Sequence, residues 1–331
     1  MILQKNNILP EIVIIRLGLI IFLVLDHCFA PFCGIWETLS DEAIPLYHII
    51  GRFAYSFFLE TFVFISGYLL AYSAQRTREA LNAGNCIWKK FKRLYIPSLV
   101  FSAIYVALFT ETFLVNDPKN WYYIVQGAGH MWFLPMLFWC FVFFWAVNKL
   151  KISPIVILFI SLFTGFLPVG LPFRIGYAAY YFFFFYFGYA IRSGFLQFVP
   201  KKPSSTLFLS GVVLFFIGFI ITILYPSSCN IFKISKLIMS VCAVIIIYWL
   251  SLYYSYKIEF LSPILIRLSG YCFGVYIVQQ FFIIYFYYHT SASLVLNIYL
   301  LPWITFVITI IVSLIVTHLM LKTKIGRFLV G

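Results

Sequence analysis

The sequence predicts an all-α protein: a polytopic transmembrane bundle of about ten helices with both termini in the cytoplasm. Three observations predict it. Of 331 residues, 63% are hydrophobic, 22% aromatic and only 10% charged, against roughly 25% charged in an ordinary soluble domain. Apolar runs of about 20 residues recur from end to end, each long enough to cross about 30 Å of hydrocarbon as a helix, whereas a membrane barrel would show alternating strands of about ten. Lys and Arg gather in every second connecting segment, as basic inner loops do. A soluble globular enzyme is excluded.

Hydrophobic runs bounded by Pro, Gly and charge place helices near 12 to 33, 52 to 74, 94 to 115, 131 to 147, 154 to 171, 175 to 191, 207 to 225, 236 to 254, 264 to 287 and 294 to 320. The loops left over are too short to fold alone, so residues 1–331 read as one membrane-embedded domain with no separate soluble part. With the N-terminus inside, the inner segments carry Lys5, then Arg76, Arg78, Lys89, Lys90, Lys92 and Arg93, then Lys149 and Lys151, then Arg192, Lys201 and Lys202, then Lys257 and Arg267, then Lys322, Lys324 and Arg327. The outer segments carry Arg52, Lys119, Arg174, Lys233 and Lys236. This bias accounts for the net charge of +13 without nucleic acid as a partner. The first outer loop, with Glu37, Asp41 and Glu42, is the most acidic stretch.

The first apolar segment follows a single Lys5, shows no small-residue cleavage pattern and contains Asp26 and His27. It reads as a retained span and not a signal peptide. The seven cysteines, 28, 33, 86, 140, 229, 242 and 272, show no Cys-x-x-Cys spacing and read as packing residues, with no metal framework.

Ionisable groups in hydrocarbon cost at least a few kcal/mol each, so those deep in spans are candidates for function. Asp26 and His27 in the first span and Glu60 in the second stand out. Arg16, near the inner boundary of the first span, can also be a plain anchor whose side chain reaches the headgroups. Its spacing changes that reading. Eleven residues separate Arg16 from His27, which on a helix is three turns plus roughly 20° and a rise of about 16 Å. A cation at the inner surface and an imidazole past the midplane, on one face, suit a substrate with an anionic head and a long arm, the shape of an acyl-coenzyme A. Lys89, Lys90, Lys92 and Arg93 place four cations at the cytoplasmic mouth. Alone, they read equally as a topological stop before Leu94-Tyr95-Ile96-Pro97.

With these residues in view, the chain resembles the acyltransferase-3 family of integral membrane acyltransferases. Arg16-x10-His27 matches the family's basic-x10-His signature in its first helix, and Glu60-Thr61-Phe62-Val63-Phe64-Ile65-Ser66-Gly67-Tyr68 looks like its acidic, Phe-rich, Ser-Gly-aromatic second helix. Lys90-Phe91-Lys92-Arg93-Leu94-Tyr95-Ile96-Pro97 is similar to its basic-x-x-Arg stretch and following Pro. His130-Met131-Trp132-Phe133-Leu134 looks like its His-x-Trp-Phe-Leu opening of the fourth helix. Phe273-Gly274-Val275-Tyr276-Ile277-Val278-Gln279-Gln280 resembles its late Gly-x-Tyr-aliphatic-x-(His/Gln) motif. Five motifs stand in the expected order. Two features depart from the family: Lys90 stands where Arg is usual, and the chain ends soon after the tenth expected span, without the extracytoplasmic hydrolase-like domain of some relatives.

The resemblance implies an O-acyltransferase, commonly O-acetyl, of the cytoplasmic or inner cell membrane. It would move an acyl group from cytoplasmic acyl-CoA (acetyl-CoA), a donor substrate and not a resident cofactor, to a hydroxyl of an extracytoplasmic or lipid-linked glycan. His27 would act as general base or briefly carry the acyl group. Glu60 is the preferred carboxylate to orient it, since it lies about 13 Å into its helix from the outer side. Asp26, adjacent to His27 and so about 100° away, is the rival. Arg16, Lys89, Lys90, Lys92 and Arg93 would bind the donor phosphates. His130 and Trp132 would bind the acceptor sugar, although Trp at an interface is also ordinary belt composition. Tyr276 and Gln280, one turn apart, can line the same cavity. Ser66-Gly67 reads as close helix packing, and His48, His289 and His318 receive no role. A transporter or flippase for a glycan, lipid or small anion fits the helix count and intramembrane charges equally well, but gives no reason for the eleven-residue offset or the basic mouth.

Overall fold

A computed structural model describes residues 9–34, 36–39, 44–77, 83–110, 118–150, 152–164, 171–196, 199–257 and 263–331. Lys5, Asp41, Glu42, Arg78 and Lys151 lie outside the described residues. The described residues contain helices and turns and no strand. In chain order the helices are α1 (Pro10–Phe29), α2 (Pro45–Tyr55), α3 (Phe58–Arg76), α4 (Ala83–Lys90), α5 (Ile96–Phe109), α6 (Pro118–Val125), α7 (Phe133–Lys149), α8 (Pro154–Thr164), α9 (Ile175–Ser193), α10 (Ser205–Leu224), α11 (Asn230–Lys257), α12 (Pro263–Tyr288), α13 (Ala292–Val295), α14 (Leu301–Lys322) and α15 (Lys324–Val330).

Proline opens many of them. Pro10, Pro45, Pro118, Pro154 and Pro263 occupy first helical positions, where the missing N–H has no intrahelical partner to lose. Ser204 caps α10 by accepting from Leu207 N–H at 3.2 Å, and Thr323 caps α15 by accepting from Gly326 N–H at 2.9 Å. Gly194, with φ of 81°, ends α9 as its N–H returns to the Ala190 and Ile191 carbonyls. Between α4 and α5 the chain makes a π-helical turn over Phe91–Tyr95. Its cause is Pro97, which cannot donate to the Arg93 carbonyl, so the preceding turn widens and Ile96 N–H reaches back to Phe91 O.

Eight helical stretches among the described residues are long and apolar enough to cross a membrane. The two other expected spans are the shorter apolar α8 and the aromatic-rich α9. Several boundaries move from the sequence expectation. The second span begins earlier, as α2 and α3 separated by a turn at Ser56, whose hydroxyl donates to Phe53 O at 2.7 Å; His48 is therefore helical and not in a loop. Likewise α11 begins at Asn230, which draws Lys233 and Lys236 into a helix. The last span starts at Leu301, one residue before Pro302.

The chain forms two compact units, Met1–Phe62 with Pro200–Gly331, and Val63–Val199. In the first, α1 packs against α2, α11, α12 and α14, burying Leu19, Leu23, Val24, Cys28 and Phe29. Phe22 lies edge-on to Phe57 at 4.9 Å and Phe29 to Trp303 at 5.1 Å. Antiparallel α10 and α11 meet closely at Gly218, which abuts Met239 and the Ser235 carbonyl. In the same way α14 returns along α12, with Thr317 lodged against Gly274 and Tyr271 OH 2.9 Å from His318 Nδ1.

In the second unit, α3 from Val63 onward crosses α9 at Gly67 and Gly188. A Cβ on Gly67 would overlap the Phe185 carbonyl, and one on Gly188 the Phe64 carbonyl. The Ser-Gly pair is thus a backbone-to-backbone crossing. Against the same helix packs α7, through Phe141 on Phe185 at 4.8 Å and Phe144 on Tyr189 at 4.5 Å.

Candidate functional site

The first unit gathers Arg16, Asp26, His27, Glu60, Tyr276 and Gln280. His27 sits near the end of α1, and its Nδ1 lies 2.9 Å from Oε1 of Gln279 on α12. With an amide oxygen as acceptor, Nδ1–H donates, and Nε2 is the basic nitrogen of the neutral ring. Trp36, in the segment after α1, stacks on the imidazole at 5.6 Å between centroids with planes 29° apart. That segment is tied down, since Tyr288 OH at the end of α12 donates to Glu37 O at 2.7 Å. A second tie joins the same helices, from Tyr287 OH to Cys28 O at 2.7 Å.

Helix α1 runs unbroken from Pro10 to Phe29, so Arg16 and His27 hold the expected shared face, about 16 Å apart along the axis. Both address α12. The Arg16 charge acts on the Cys272 thiol, seven residues before Gln279 and so on nearly the same stripe of that helix. The pairs ascend together, which makes α1 and α12 parallel. That direction agrees with two helices starting from one side of a membrane.

The two carboxylates diverge. Glu60, 1% exposed, lies in the first turn of α3 and faces α11, within electrostatic reach of the Lys236 ammonium; its Oε2 and the Ser240 hydroxyl are buried without a hydrogen-bond partner among the described residues. Lys236 also lies over the Tyr55 ring at 5.5 Å. Asp26, 3% exposed, lies within electrostatic reach of the thiols of Cys28 and Cys33, and its Oδ1 has no hydrogen-bond partner among the described residues. A neutral amide thus holds Nδ1 of His27, whereas the sequence predicts a carboxylate for the orienting role. Tyr276 and Gln280 are buried one turn apart on α12.

Gln279 and Trp36 escaped the sequence reading. A four-residue step from Tyr276 selects Gln280, but counting Gly274-x-Tyr276-aliphatic-x-(His/Gln) residue by residue ends on Gln279. For Trp36 the sequence offers no comparable signal, because its contact depends on the turn at Gly34, where φ is 67°.

The second unit holds the remaining predicted residues. Trp88, Phe91 and Tyr95 stack in series at 5.4 and 5.2 Å, as the π-turn aligns them. Lys92 lies over Trp88 at 5.6 Å and Lys90 over Phe141 at 4.1 Å, while Lys89 and Arg93 are exposed. Two of the four cations therefore rest on aromatic faces and two project outward. His130 is buried in a 3-10 turn at the start of α7. The turn is fixed by Ala128 N–H donating to Ser102 Oγ at 2.9 Å and Gly129 N–H to Tyr123 OH at 3.0 Å. Trp132 lies 5.3 Å from Tyr177 and 6.3 Å from Tyr181, one of a group of rings with polar edges.

A comparison with protein families matches residues 9–322 to the model of a family described as an acyltransferase domain. No curated protein and no solved structure matches the chain.

Proposed function

The chain belongs to the acyltransferase-3 family and is a multi-pass membrane acyltransferase; from that premise we propose that it moves an acetyl-type acyl group from cytoplasmic acyl-CoA to a hydroxyl of an extracytoplasmic or lipid-linked glycan, in the cytoplasmic or inner cell membrane. The observation that carries the reading is the contact of His27 Nδ1 with Gln279 Oε1. An amide acceptor at Nδ1 favours one ring orientation and one tautomer, in which Nε2 is the basic nitrogen. As the glycan O–H gives its proton to Nε2, its oxygen bonds to the thioester carbon. The carbon–sulfur bond then breaks, and the coenzyme leaves as a thiol carrying the proton from the imidazolium.

Arg16 would take an anionic group of the donor, while the pantetheine arm covers the roughly 16 Å to His27. Lys89 and Arg93 are the outward-facing candidates for further phosphate contacts, with Lys90 and Lys92 held against aromatic rings beside them. His130 and Trp132 would meet the acceptor, the indole offering a face to a sugar ring. Tyr276 and Gln280 would line the cavity beside His27. Glu60 and Asp26 would act as buried carboxyl groups close to the chemistry, with Lys236 within electrostatic reach of Glu60.

The test is thiol release from acetyl-coenzyme A by protein purified in detergent, with wild type and His27→Ala side by side. Release by wild type and its loss in the variant support the proposal. Neither binding nor release with several short acyl donors, together with glycan or anion flux in proteoliposomes, replaces it with transport.

A further inference from the structure

The last turns of α3 and α9 meet around Arg192, a residue that the catalytic reading leaves unused. Its guanidinium lies against two tyrosine faces, 5.4 Å from the Tyr68 centroid and 5.0 Å from that of Tyr72. It makes one long hydrogen bond, Nη1 to Tyr68 OH at 3.4 Å. Its Nε is shielded from solvent and has no hydrogen-bond partner among the described residues. Gln75 Nε2 donates to Arg192 O at 3.0 Å, and the Gly67–Gly188 crossing holds the two helices in register.

Arg76 lies over the same Tyr72 ring at 5.7 Å. Two guanidiniums sharing one ring repel each other, and cation–π attraction offsets only part of that. Among the described residues neither has an acidic partner. Their place in terminal turns is ordinary, since cations suit helix C-termini and the charge bias puts basic groups there. A helix terminus does not account for a buried Nε without an acceptor. A guanidinium presents Nε and Nη2 as a planar fork matched to two oxygens of one anion. Here Nη1 is turned to Tyr68, and that fork is the edge left over.

We propose that Arg192, with Arg76 beside it, is a phosphate-binding site: Nε and Nη2 of Arg192 grip two oxygens of one phosphate group while Tyr68 and Tyr72 hold the guanidinium plane. The phosphate comes either from the donor nucleotide, which rests on the acyl-CoA reading above, or from a lipid headgroup, which does not.

The test uses the full-length protein in phosphatidylcholine nanodiscs, as wild type, Arg192→Gln and Arg192→Lys. Coenzyme A and dephospho-coenzyme A are titrated by calorimetry. Melting temperature is then compared with and without phosphatidylglycerol. For a donor site, Arg192→Gln weakens coenzyme A binding at least about tenfold and Arg192→Lys restores only part, because an ammonium lacks the fork. For a lipid site, donor binding is unchanged and Arg192→Gln abolishes the stabilisation by phosphatidylglycerol. Wild type that binds neither coenzyme but responds to lipid through Arg192 overturns the donor reading and upholds the phosphate site. If Arg192→Gln changes neither measurement, the site is overturned. Should that variant fail to fold, the exposed Arg76→Gln carries the test, with a smaller loss in the same arm expected and no change in either arm overturning the proposal.

Discussion

Nδ1 of His27 and Oε1 of Gln279 stand 2.9 Å apart, a hydrogen bond spanning 252 residues of sequence that fastens the end of α1 to α12. An imidazole alone can present either nitrogen and rotate about its own bonds. An amide acceptor at Nδ1 selects one tautomer and one ring plane. Gln279→Ala should therefore lower kcat for thiol release roughly 10- to 100-fold, the usual effect of removing a group that orients a reactive imidazole, with little change in donor KM. Gln279→His, which keeps a polar ring atom in reach, should retain more activity than the alanine variant. Equal kcat in Gln279→Ala and wild type would remove the residue from the mechanism.

Trp36 stacks on a face of that ring. Its indole is anchored through the Tyr288 hydroxyl on Glu37 O, so water must displace a fixed aromatic plane to reach the imidazole from there. Trp36→Ala should raise thiol release in the absence of any acceptor by several-fold, as water takes the place of the glycan hydroxyl. Trp36→Phe should behave nearly as wild type. A glycan-free rate that is the same in all three proteins would show that Trp36 does not exclude water.

What the sequence revealed and what it hid follow the range of the interactions. The apolar runs and their prolines gave the helices, because span length and Pro position are local properties. The Arg16–His27 face was legible for the same reason, since eleven residues on one unbroken helix fix an azimuth. Gln279 and Lys236 were not. The first differs from Gln280 by a single residue, a 100° choice that only the packing of α1 on α12 decides. Lys236 looked like a loop cation until α11 proved to start at Asn230, which brings it to Glu60. From sequence Arg192 reads as topology, because nothing local foretells two tyrosines of α3 beneath its guanidinium.

The electrostatic influence of Lys236 on Glu60 makes its own prediction. Lys236→Met removes the cation that acts on a carboxyl of 1% exposure, which should lower the melting temperature if that carboxyl is charged in the folded protein. The double variant Glu60→Gln with Lys236→Met should recover most of that loss in a thermal unfolding assay. If the single and double variants melt alike, the two side chains do not interact. Activity then separates the roles of Glu60: a double variant that is stable but inactive places the carboxylate in the chemistry.

Gly67 and Gly188 form a reciprocal contact in which each backbone occupies the space a methyl group would need on the other. Neither obstacle is the flexible end of a side chain, so α3 and α9 must separate to admit either substitution. Gly67→Ala and Gly188→Ala should each cost about 1–3 kcal/mol or more, seen as a lower melting temperature and loss of the monodisperse peak in detergent. The control is Gly270→Ala, where no atom lies within 4 Å of the added carbon and helix propensity favours alanine. It should be neutral or slightly stabilising. Equal behaviour of the three would mean that the crossing is looser than its geometry.

Cys33, just past the end of α1, tests the acidic end of the site from outside the spans. Burial pushes its thiol up to about 12, helped by the negative charge of Asp26 and opposed by Arg52. Its sulfur also points at the Tyr47 and His48 carbonyls, 3.8 and 3.7 Å away. A thiol raised this far is neutral at pH 7, and because only the thiolate attacks a maleimide, labelling should be slow and should quicken about tenfold per pH unit toward the raised value. If Asp26 is ionised, Asp26→Asn removes a charge that opposes the thiolate. Labelling of Cys33 at fixed pH should then be faster, measured by mass spectrometry of the Cys33 peptide after brief exposure. An unchanged rate in Asp26→Asn would mean that the Asp26 carboxyl is not ionised under those conditions, which would make it unfit to serve as a base beside His27.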